Sequence, residues 1–401
     1  MRFALIADTF PPIRTSGAVQ LRDLSREFVR QGHELTVMLP ATGLDRAWRL
    51  EDFDGAQVLR LRAPKTKGVG YARRTMAEFF MPYAMLVNLR KSPLAREEWD
   101  GVIWYSPSIF HGPLVSALKR GSECKAYLII RDIFPEWALD MGLMGPGPAF
   151  QFFSAIARYQ YSVADIIGVQ SAGNRIYFDR WRRKPGRTLE VLENWLDSPK
   201  QASCSVRLDC TALAGRKVFV YAGNIGVAQG LDIVLDLAER LAPRRDVGFL
   251  FVGRGSEVRR LSDSSKSRRL DNVLFLDEID PDEIPDLYAQ CSAGIVSLDH
   301  RHKSHNIPGK FLTYMQCGLP VLASLNPGND LRKVIRSNEV GEVCESHRID
   351  ELQRRCIDLL GKIDSDPLLI ERCKNLFKDK YSVNRAVFQI CSALCPSVGR
   401  A

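Results

Sequence analysis

Twice along this chain an apolar run stops at a glycine-bearing loop and gives way to a helical stripe. The first run spans residues 3–7. The loop Asp8-Thr9-Phe10-Pro11-Pro12-Ile13-Arg14-Thr15-Ser16-Gly17 follows it, and Leu21, Leu24 and Phe28 then recur at helical spacing. The second run spans 217–222. It leads through Gly223-Asn224-Ile225-Gly226-Val227-Ala228-Gln229-Gly230 into a stripe of Leu231, Val234, Leu235 and Leu237. Strand, crossover helix and strand make the unit of a parallel sheet covered by helices on both faces. Gly32 sits where a helix-ending glycine belongs, and 35–39 reads as the next strand. The same grammar predicts strands at 58–61, 101–105, 126–130 and 165–169, with helices over 110–120 and 149–163. In the second half it predicts strands at 248–252, 273–276, 294–297 and 320–323.

The 401 residues suit two domains at ~150 residues each. The expected division is a domain over 1–197, a polar linker over 198–215, and a second domain over 216–380. A terminal helix over 381–401 is expected to pack back on the first domain. The fold class is α/β: two doubly wound domains with a ligand cleft at the carboxyl ends of their strands. Hydrophobic residues make up 45% and charged residues 26%, which excludes disorder as the main state. Ten cysteines lie scattered without a Cys-x-x-Cys pair, as in a cytosolic protein with reduced thiols. Residues 1–8 do not read as a signal peptide, and no stretch reaches the ~20 apolar residues of a membrane span.

The 56 basic and 47 acidic residues give a net charge of +9. That points to an anionic partner: nucleic acid, a membrane surface or a phosphorylated small molecule. No aromatic–basic repeat or nucleic-acid module is present, so nucleic acid is not expected. The glycines at 223, 226 and 230, and Gly253-Arg254-Gly255 after the next strand, suit an anion held by backbone N–H groups at a helix start. Neither loop matches a Walker A sequence or the dinucleotide fingerprint. The densest basic stretch, Asp299-His300-Arg301-His302-Lys303-Ser304-His305-Asn306-Ile307-Pro308-Gly309-Lys310, feeds a helix expected to begin at Gly309. Lys310 would then lie in the first turn beside free amides, as a diphosphate requires. Three histidines on a loop at i, i+2 and i+5 make a poor zinc signature, and no metal is expected. A solvated charge run is the plain alternative.

In the first half, Arg131-Asp132-Ile133-Phe134-Pro135-Glu136 places an ion pair and a further carboxylate directly after a strand. Asp132 is the candidate base or hydroxyl-orienting group, and Glu136 a second; a helix-capping carboxylate is the alternative. His33 and His111 read as structural. Residues 71–91 bracket a Met- and aromatic-rich middle with Arg73, Arg74, Arg90 and Lys91. The segment reads either as an interfacial element at a membrane surface or as a buried helix broken by Pro82.

Several stretches together resemble retaining GT-B glycosyltransferases of family 4. They are Phe10-Pro11-Pro12…Gly17, Gly32-His33-Glu34-Leu35-Thr36-Val37, Tyr221-Ala222-Gly223-Asn224-Ile225-Gly226…Gln229-Gly230, Gly253-Arg254-Gly255 and Pro308-Gly309-Lys310…Gly318-Leu319-Pro320-Val321. The likeness covers nearly the whole chain. The run 131–136, with Gly309-Lys310-Phe311-Leu312-Thr313-Tyr314-Met315-Gln316 and Asn326-Pro327-Gly328-Asn329-Asp330, looks similar to bacterial O-antigen and capsule transferases of N-acetyl-L-fucosamine type. The family's phosphate-binding Arg and Lys fall here on Asn224 and Gln229, and its paired glutamates on His305 and Thr313. The resemblance then implies that Lys310 and Arg254 supply the positive charge, with His305 and Asn306 at the transferred sugar. Gly17, Gly309 and Glu278 complete the donor-binding set.

This resemblance implies a two-Rossmann architecture whose domains close on a UDP-sugar. The sugar would pass, with retention, to a polyprenyl-diphosphate-linked acceptor at the cytoplasmic face of the inner membrane. The nucleotide-sugar is substrate, so no cofactor is implied. Charge developing on the leaving diphosphate would be met by amides of 223–226, the helix start at Gly309 and the Lys310 ammonium, with Asp132 positioning the acceptor hydroxyl. A nucleotide-sugar 2-epimerase of the same architecture stays open as the alternative. So do a nicotinamide oxidoreductase and a non-enzymatic anion-binding protein.

Overall fold

A computed structural model describes residues 1–13, 15–140, 142–198, 202–299, 307–346 and 348–395. The chain divides into two compact units, Met1–Asp197 with the chain from Val383 onward, and Ser198–Ser382.

The first unit contains β1 (Arg2–Ile6), α1 (Ser16–Arg30), β2 (Glu34–Ala41), β3 (Trp48–Phe53), β4 (Ala56–Arg62), α2 (Tyr71–Leu89), β5 (Gly101–Tyr105) and α3 (Gly112–Ser122). It continues with β6 (Lys125–Ile130), α4 (Glu136–Asp140), α5 (Pro148–Val163), β7 (Ile166–Val169), α6 (Asp179–Arg182) and β8 (Thr188–Val191). The sheet order is β3-β4-β2-β1-β5-β6-β7-β8, parallel except for β3 against β4. Of its central strands, β5 is buried from end to end and β1 from Phe3 onward, because both faces are covered. Phe3, Leu5 and Ala7 enter one core, with Leu21, Leu24 and Phe28 of α1. Ala4 and Ile6, one residue out of phase, enter the other with Met81 and Met85 of α2 and Leu114 of α3.

The second unit contains β9 (Lys217–Ala222), α7 (Asp232–Arg240), β10 (Val247–Val252), α8 (Val258–Ser267), β11 (Val273–Leu276), α9 (Ile284–Ala289) and β12 (Ala293–Ser297). It ends with α10 (Gly309–Cys317), β13 (Val321–Ser324), α11 (Leu331–Ser337), β14 (Gly341–Cys344), α12 (Ile349–Ser365) and α13 (Leu369–Leu376). All six strands are parallel, ordered β11-β10-β9-β12-β13-β14. The last helix, α14 (Val383–Leu394), belongs to the first unit. Its Val383, Val387, Ile390 and Leu394 join Phe3 and Phe28 in that unit's core.

Three strands lie outside the sequence pattern: β3, β8 and β14. Antiparallel β3 sits at the sheet edge and reads Trp-Arg-Leu-Glu-Asp-Phe, too polar for the continuous apolar run of a central strand. Pro82 lies inside α2 rather than ending a helix, so the expectation of a helix broken there is corrected. Its ring faces the core beside Met81 and Met85.

Candidate functional site

In the second unit the carboxyl end of β9 runs into the glycine loop, and two glycines of the next loop lie against it. A Cβ on Gly253 would stand 2.1 Å from the Gly223 carbonyl oxygen, and one on Gly255 2.1 Å from that of Ile225. Both glycines also have positive φ, 139° and 156°, so side chains are barred twice over. The loops are stitched together. Gly223 N donates to Val252 O (2.9 Å), Ile225 N to Arg254 O (2.8 Å), and Gly253 N to Leu276 O (3.1 Å). Gln229 Oε1 accepts from Gly226 N (3.0 Å) and from Asn224 Nδ2 (3.3 Å).

This geometry corrects the expectation that amides 223–226 face an anion together. Those of Gly223, Ile225 and Gly226 are bonded within the protein, which leaves the Asn224 amide for a ligand. The glycines serve close backbone approach. The cation expected from Arg254 is also partnered: its Nε lies 3.2 Å from Glu278 Oε2, with the two side chains 83% and 53% exposed. An ion pair that open contributes ~0–1 kcal/mol, so an arriving anion separates it readily.

Lys310 is the different case. It stands in the first turn of α10, and its Nζ lies 3.6 Å from the centroid of the Tyr221 ring at the end of β9. A Cβ on Gly223 would be 4.0 Å from the same nitrogen. No carboxylate or hydrogen-bond acceptor partners this amine among the described residues. Burial pushes it down to about 7, while the aromatic face favours the charged form. Thr313 lies one turn on along the same face of α10, and Gly309 is exposed at the helix start. His305 and Asn306, with the basic loop over 300–306, lie outside the described residues.

In the first unit, Gly17 sits in the opening turn of α1. A Cβ there would lie 3.3 Å from Thr9 Cγ2 and 3.4 Å from the Tyr105 ring, so its role is to let that turn pack on β5. Asp132 follows β6 and is exposed. Burial of its carboxyl raises it above the usual range, and the Arg131 charge opposes that rise. The expected Arg131–Asp132 ion pair is not formed. The Arg131 guanidinium turns inward instead, donating to Leu192 O at 2.9 Å and Glu193 O at 3.3 Å and lying 4.6 Å over the Trp195 ring. Glu136 opens α4, half-buried. His111 has no exposed surface, and burial pushes it down to about 4 while Asp8 pulls the other way.

The α2 face turned from the core carries Met76, Phe80, Tyr83 and Val87, 57%, 50%, 47% and 50% exposed, at helical spacing. Phe79 and Met81 of the same segment turn towards the core instead. No helix among the described residues is long and apolar enough to cross a membrane.

Sequence reasoning missed Tyr221 as the shelf for Lys310, because a tyrosine inside an apolar strand reads as core. It also missed Gln20, which links α1 to the exit of β8. Gln20 accepts from Tyr105 Oη (2.7 Å) and donates to Asn194 Oδ1 (3.1 Å), and its carbonyl accepts from Trp195 Nε1 (2.9 Å).

The glycine loops and Lys310 sit in the stretch that similarity with known proteins picks out. Residues 216–362 match the family of glycosyl transferases group 1. That stretch lies within the second unit. Among curated proteins, the chain is 26% identical over 280 residues to the putative colanic acid biosynthesis glycosyl transferase WcaI of Escherichia coli K12. It is 22% identical over 256 residues to the probable glycosyltransferase WbjE of Pseudomonas aeruginosa. Each match takes in 63% of this chain, and the chain spans 62% and 63% of those relatives' own lengths. Among solved structures, Anabaena HepE in complex with UDP superposes with a TM-score of 0.67 at 16% identity, covering 99% of this chain and 100% of that one. A likeness of that kind shows the fold: GT-B, two Rossmann-like α/β domains with parallel sheets.

Proposed function

We propose that the protein is a retaining glycosyltransferase of polysaccharide or lipopolysaccharide synthesis, moving a sugar from a UDP-sugar to a polyprenyl-diphosphate-linked acceptor. The observation that carries the reading is the half-buried Lys310 amine. It stands at a helix start beside a glycine loop, with no anionic side chain partnering it among the described residues. As the glycosidic bond ionises, charge builds on the leaving diphosphate, and a fixed cation with the Asn224, Gly309 and Lys310 amides stabilises it. Losing one such donor costs ~3 kcal/mol of barrier, a hundredfold or more in rate. Gln229, Arg254, Glu278 and Thr313 line the donor site in this reading, with Gly223 and Gly226 shaping its loop. His305 and Asn306 are assigned to the transferred sugar.

On the first unit, Asp132 orients the acceptor hydroxyl, and Glu136 holds the start of α4 beside it. The apolar stripe on α2, flanked by Arg73, Arg90 and Lys91, suits contact with an anionic membrane surface, where a lipid-linked acceptor resides. The names of WcaI and WbjE, and the UDP bound by HepE, support a nucleotide-sugar transferase over a 2-epimerase. An aminosugar of N-acetyl-L-fucosamine type remains the proposed cargo, on the sequence resemblance given above.

The test is a thermal-shift screen against UDP-, GDP- and dTDP-sugars, followed by mass spectrometry of the product formed on a synthetic polyprenyl-diphosphate acceptor. A UDP-sugar shift and a mass gain of one sugar residue are expected in the wild type, and no mass gain in Lys310→Ala. Full transfer by that variant overturns the assignment of Lys310, and an epimerised donor without acceptor overturns the transferase reading.

A further inference from the structure

In the first unit, a hollow of about 360 Å³ opens among the starts of β1, β2 and β4. These strands run parallel side by side, so their starts form one edge of the sheet, and their ends, with Asp8 beyond β1, form the other. At ~3.3 Å per residue, the five residues of β1 set the two edges roughly 15 Å apart. The hollow therefore lies away from the sheet edge that carries Asp132 and Glu136.

Two polar atoms of residues lining it, Trp99 Nε1 and His33 Nδ1, are buried and have no hydrogen-bond partner among the described residues. Trp99 is 3% exposed. Buried polar groups are nearly always bonded, and one left unpaired is costly. A site that needed only apolar volume is served by phenylalanine, which has no N–H to satisfy. The rim adds acceptors. Arg2 Nε donates to Glu34 Oε2 at 3.0 Å, and Arg2 also pairs with Glu97 through Oε1. Each carboxylate spends one oxygen on Arg2, which leaves the other to accept from a ligand. Gln57 Oε1 accepts from Thr36 Oγ1 at 3.4 Å, and the Gln57 amide nitrogen remains as a donor. Burial pushes the His33 imidazole down, so at neutral pH its ring is uncharged, with one donor and one acceptor nitrogen.

This mixture selects among ligands. A phosphate or carboxylate would meet Glu34 and Glu97, and an ammonium would meet Arg2 and the indole N–H. A hydroxyl accepts from an N–H and donates to a carboxylate at once. The volume lies at the low end of the ~300–1,000 Å³ of small-molecule sites, which suits one sugar ring and not a nucleotide-sugar.

We infer that this hollow is a second carbohydrate site, taking one neutral sugar unit at the amino-terminal edge of the first sheet: Trp99 Nε1 donates to one hydroxyl, and Glu34 and Glu97 accept from others. The inference does not depend on the reaction proposed above.

The test is nitrogen-15 NMR of the full chain labelled at its tryptophan indoles, titrated with glucose, galactose, N-acetylglucosamine and L-fucose. The Trp99 signal is assigned by its loss in Trp99→Phe. At least one sugar is expected to move that signal saturably, with UDP present in excess or absent, and inorganic phosphate is expected not to. Glu97→Gln should weaken the sugar by ~tenfold or more while leaving UDP affinity unchanged. The inference is overturned if no sugar moves the signal saturably, if UDP displaces the sugar, or if folded Glu97→Gln binds it as the wild type does. Should Trp99→Phe not fold, calorimetry of the wild type and Glu97→Gln with the same sugars and UDP decides by the same outcomes. Transfer activity is read separately: sugar bound at this edge without any transfer sinks the proposed function and leaves the site standing.

Discussion

If the Lys310 amine grips a diphosphate, donor affinity must depend on pH through that amine. With Lys310 at about 7 in the free protein, about half of the molecules carry the cation at pH 7 and about one in a hundred at pH 9. A bound diphosphate keeps the ammonium charged, so donor binding at pH 9 must first take up a proton. Affinity should then fall about fiftyfold between pH 7 and pH 9, roughly 2.3 kcal/mol. The Tyr221 face at 3.6 Å stabilises the cation by ~0.5–2 kcal/mol. It moves the onset of the fall upward without changing its slope of about tenfold per pH unit at the alkaline end. A UDP-sugar is the right probe, because its phosphodiester groups do not titrate in this range, whereas a terminal phosphate with a pKa of ~6 does.

The assay is isothermal titration calorimetry in two buffers of different ionisation enthalpy. It reads the affinity and the proton uptake together. Lys310→Met should bind weakly and flatly across the range, with no proton uptake. An affinity that does not change from pH 7 to pH 9 in the wild type, or one that falls equally in the Met variant, would refute the placement of the diphosphate at Lys310. The same amine acts on folding with a definite sign. Its folded-state value lies below the unfolded one, so the unfolded chain binds more protons between about 7 and 10.5. The ligand-free protein therefore gains stability from this group as pH rises through that window. Lys310→Met should raise the ligand-free melting temperature at neutral pH and abolish this rise.

The glycines separate by severity. Gly253→Ala, with its Cβ 2.1 Å from a carbonyl oxygen, should cost about 3 kcal/mol or more and remove donor binding. Gly17→Ala, whose nearest contact is 3.3 Å from a methyl group, should cost about 1 kcal/mol; thermal denaturation orders the two. Replacing Phe80, Tyr83 and Val87 together by Ser should cut sedimentation with anionic vesicles severalfold and leave the melting temperature nearly unchanged, since all three are exposed. A matching loss with neutral vesicles, or a large fall in melting temperature, would return the stripe to a structural role.

What the sequence shows and what it hides divide along a physical line. The inner parallel strands of both sheets were legible and the edge strands β3, β8 and β14 were not, because strands covered on two faces are largely apolar and their glycine loops recur in order. The start of α10 was legible because a helix start could be read from Pro308-Gly309. Partners were not. The expected pairing of Arg131 with Asp132 set two successive residues at a strand exit against each other, yet successive side chains on extended backbone point to opposite sides. That rule alone sends one of them inward, and the structure shows it to be the arginine. The glycine loops misled for a related reason. A glycine marks a place where backbone comes close to something, and composition does not say whether that is a phosphate or a second loop. Here β9 and β10 pair from Lys217 with Val247 to Ala222 with Val252, which brings the loops that follow them side by side. Gly253 and Gly255 then face the carbonyls of Gly223 and Ile225, and amides that would have faced an anion close that contact instead. With the loop amides used in this way and Arg254 set against Glu278, the proposed donor site would lean on the cation at 310 more than an intact phosphate loop would require.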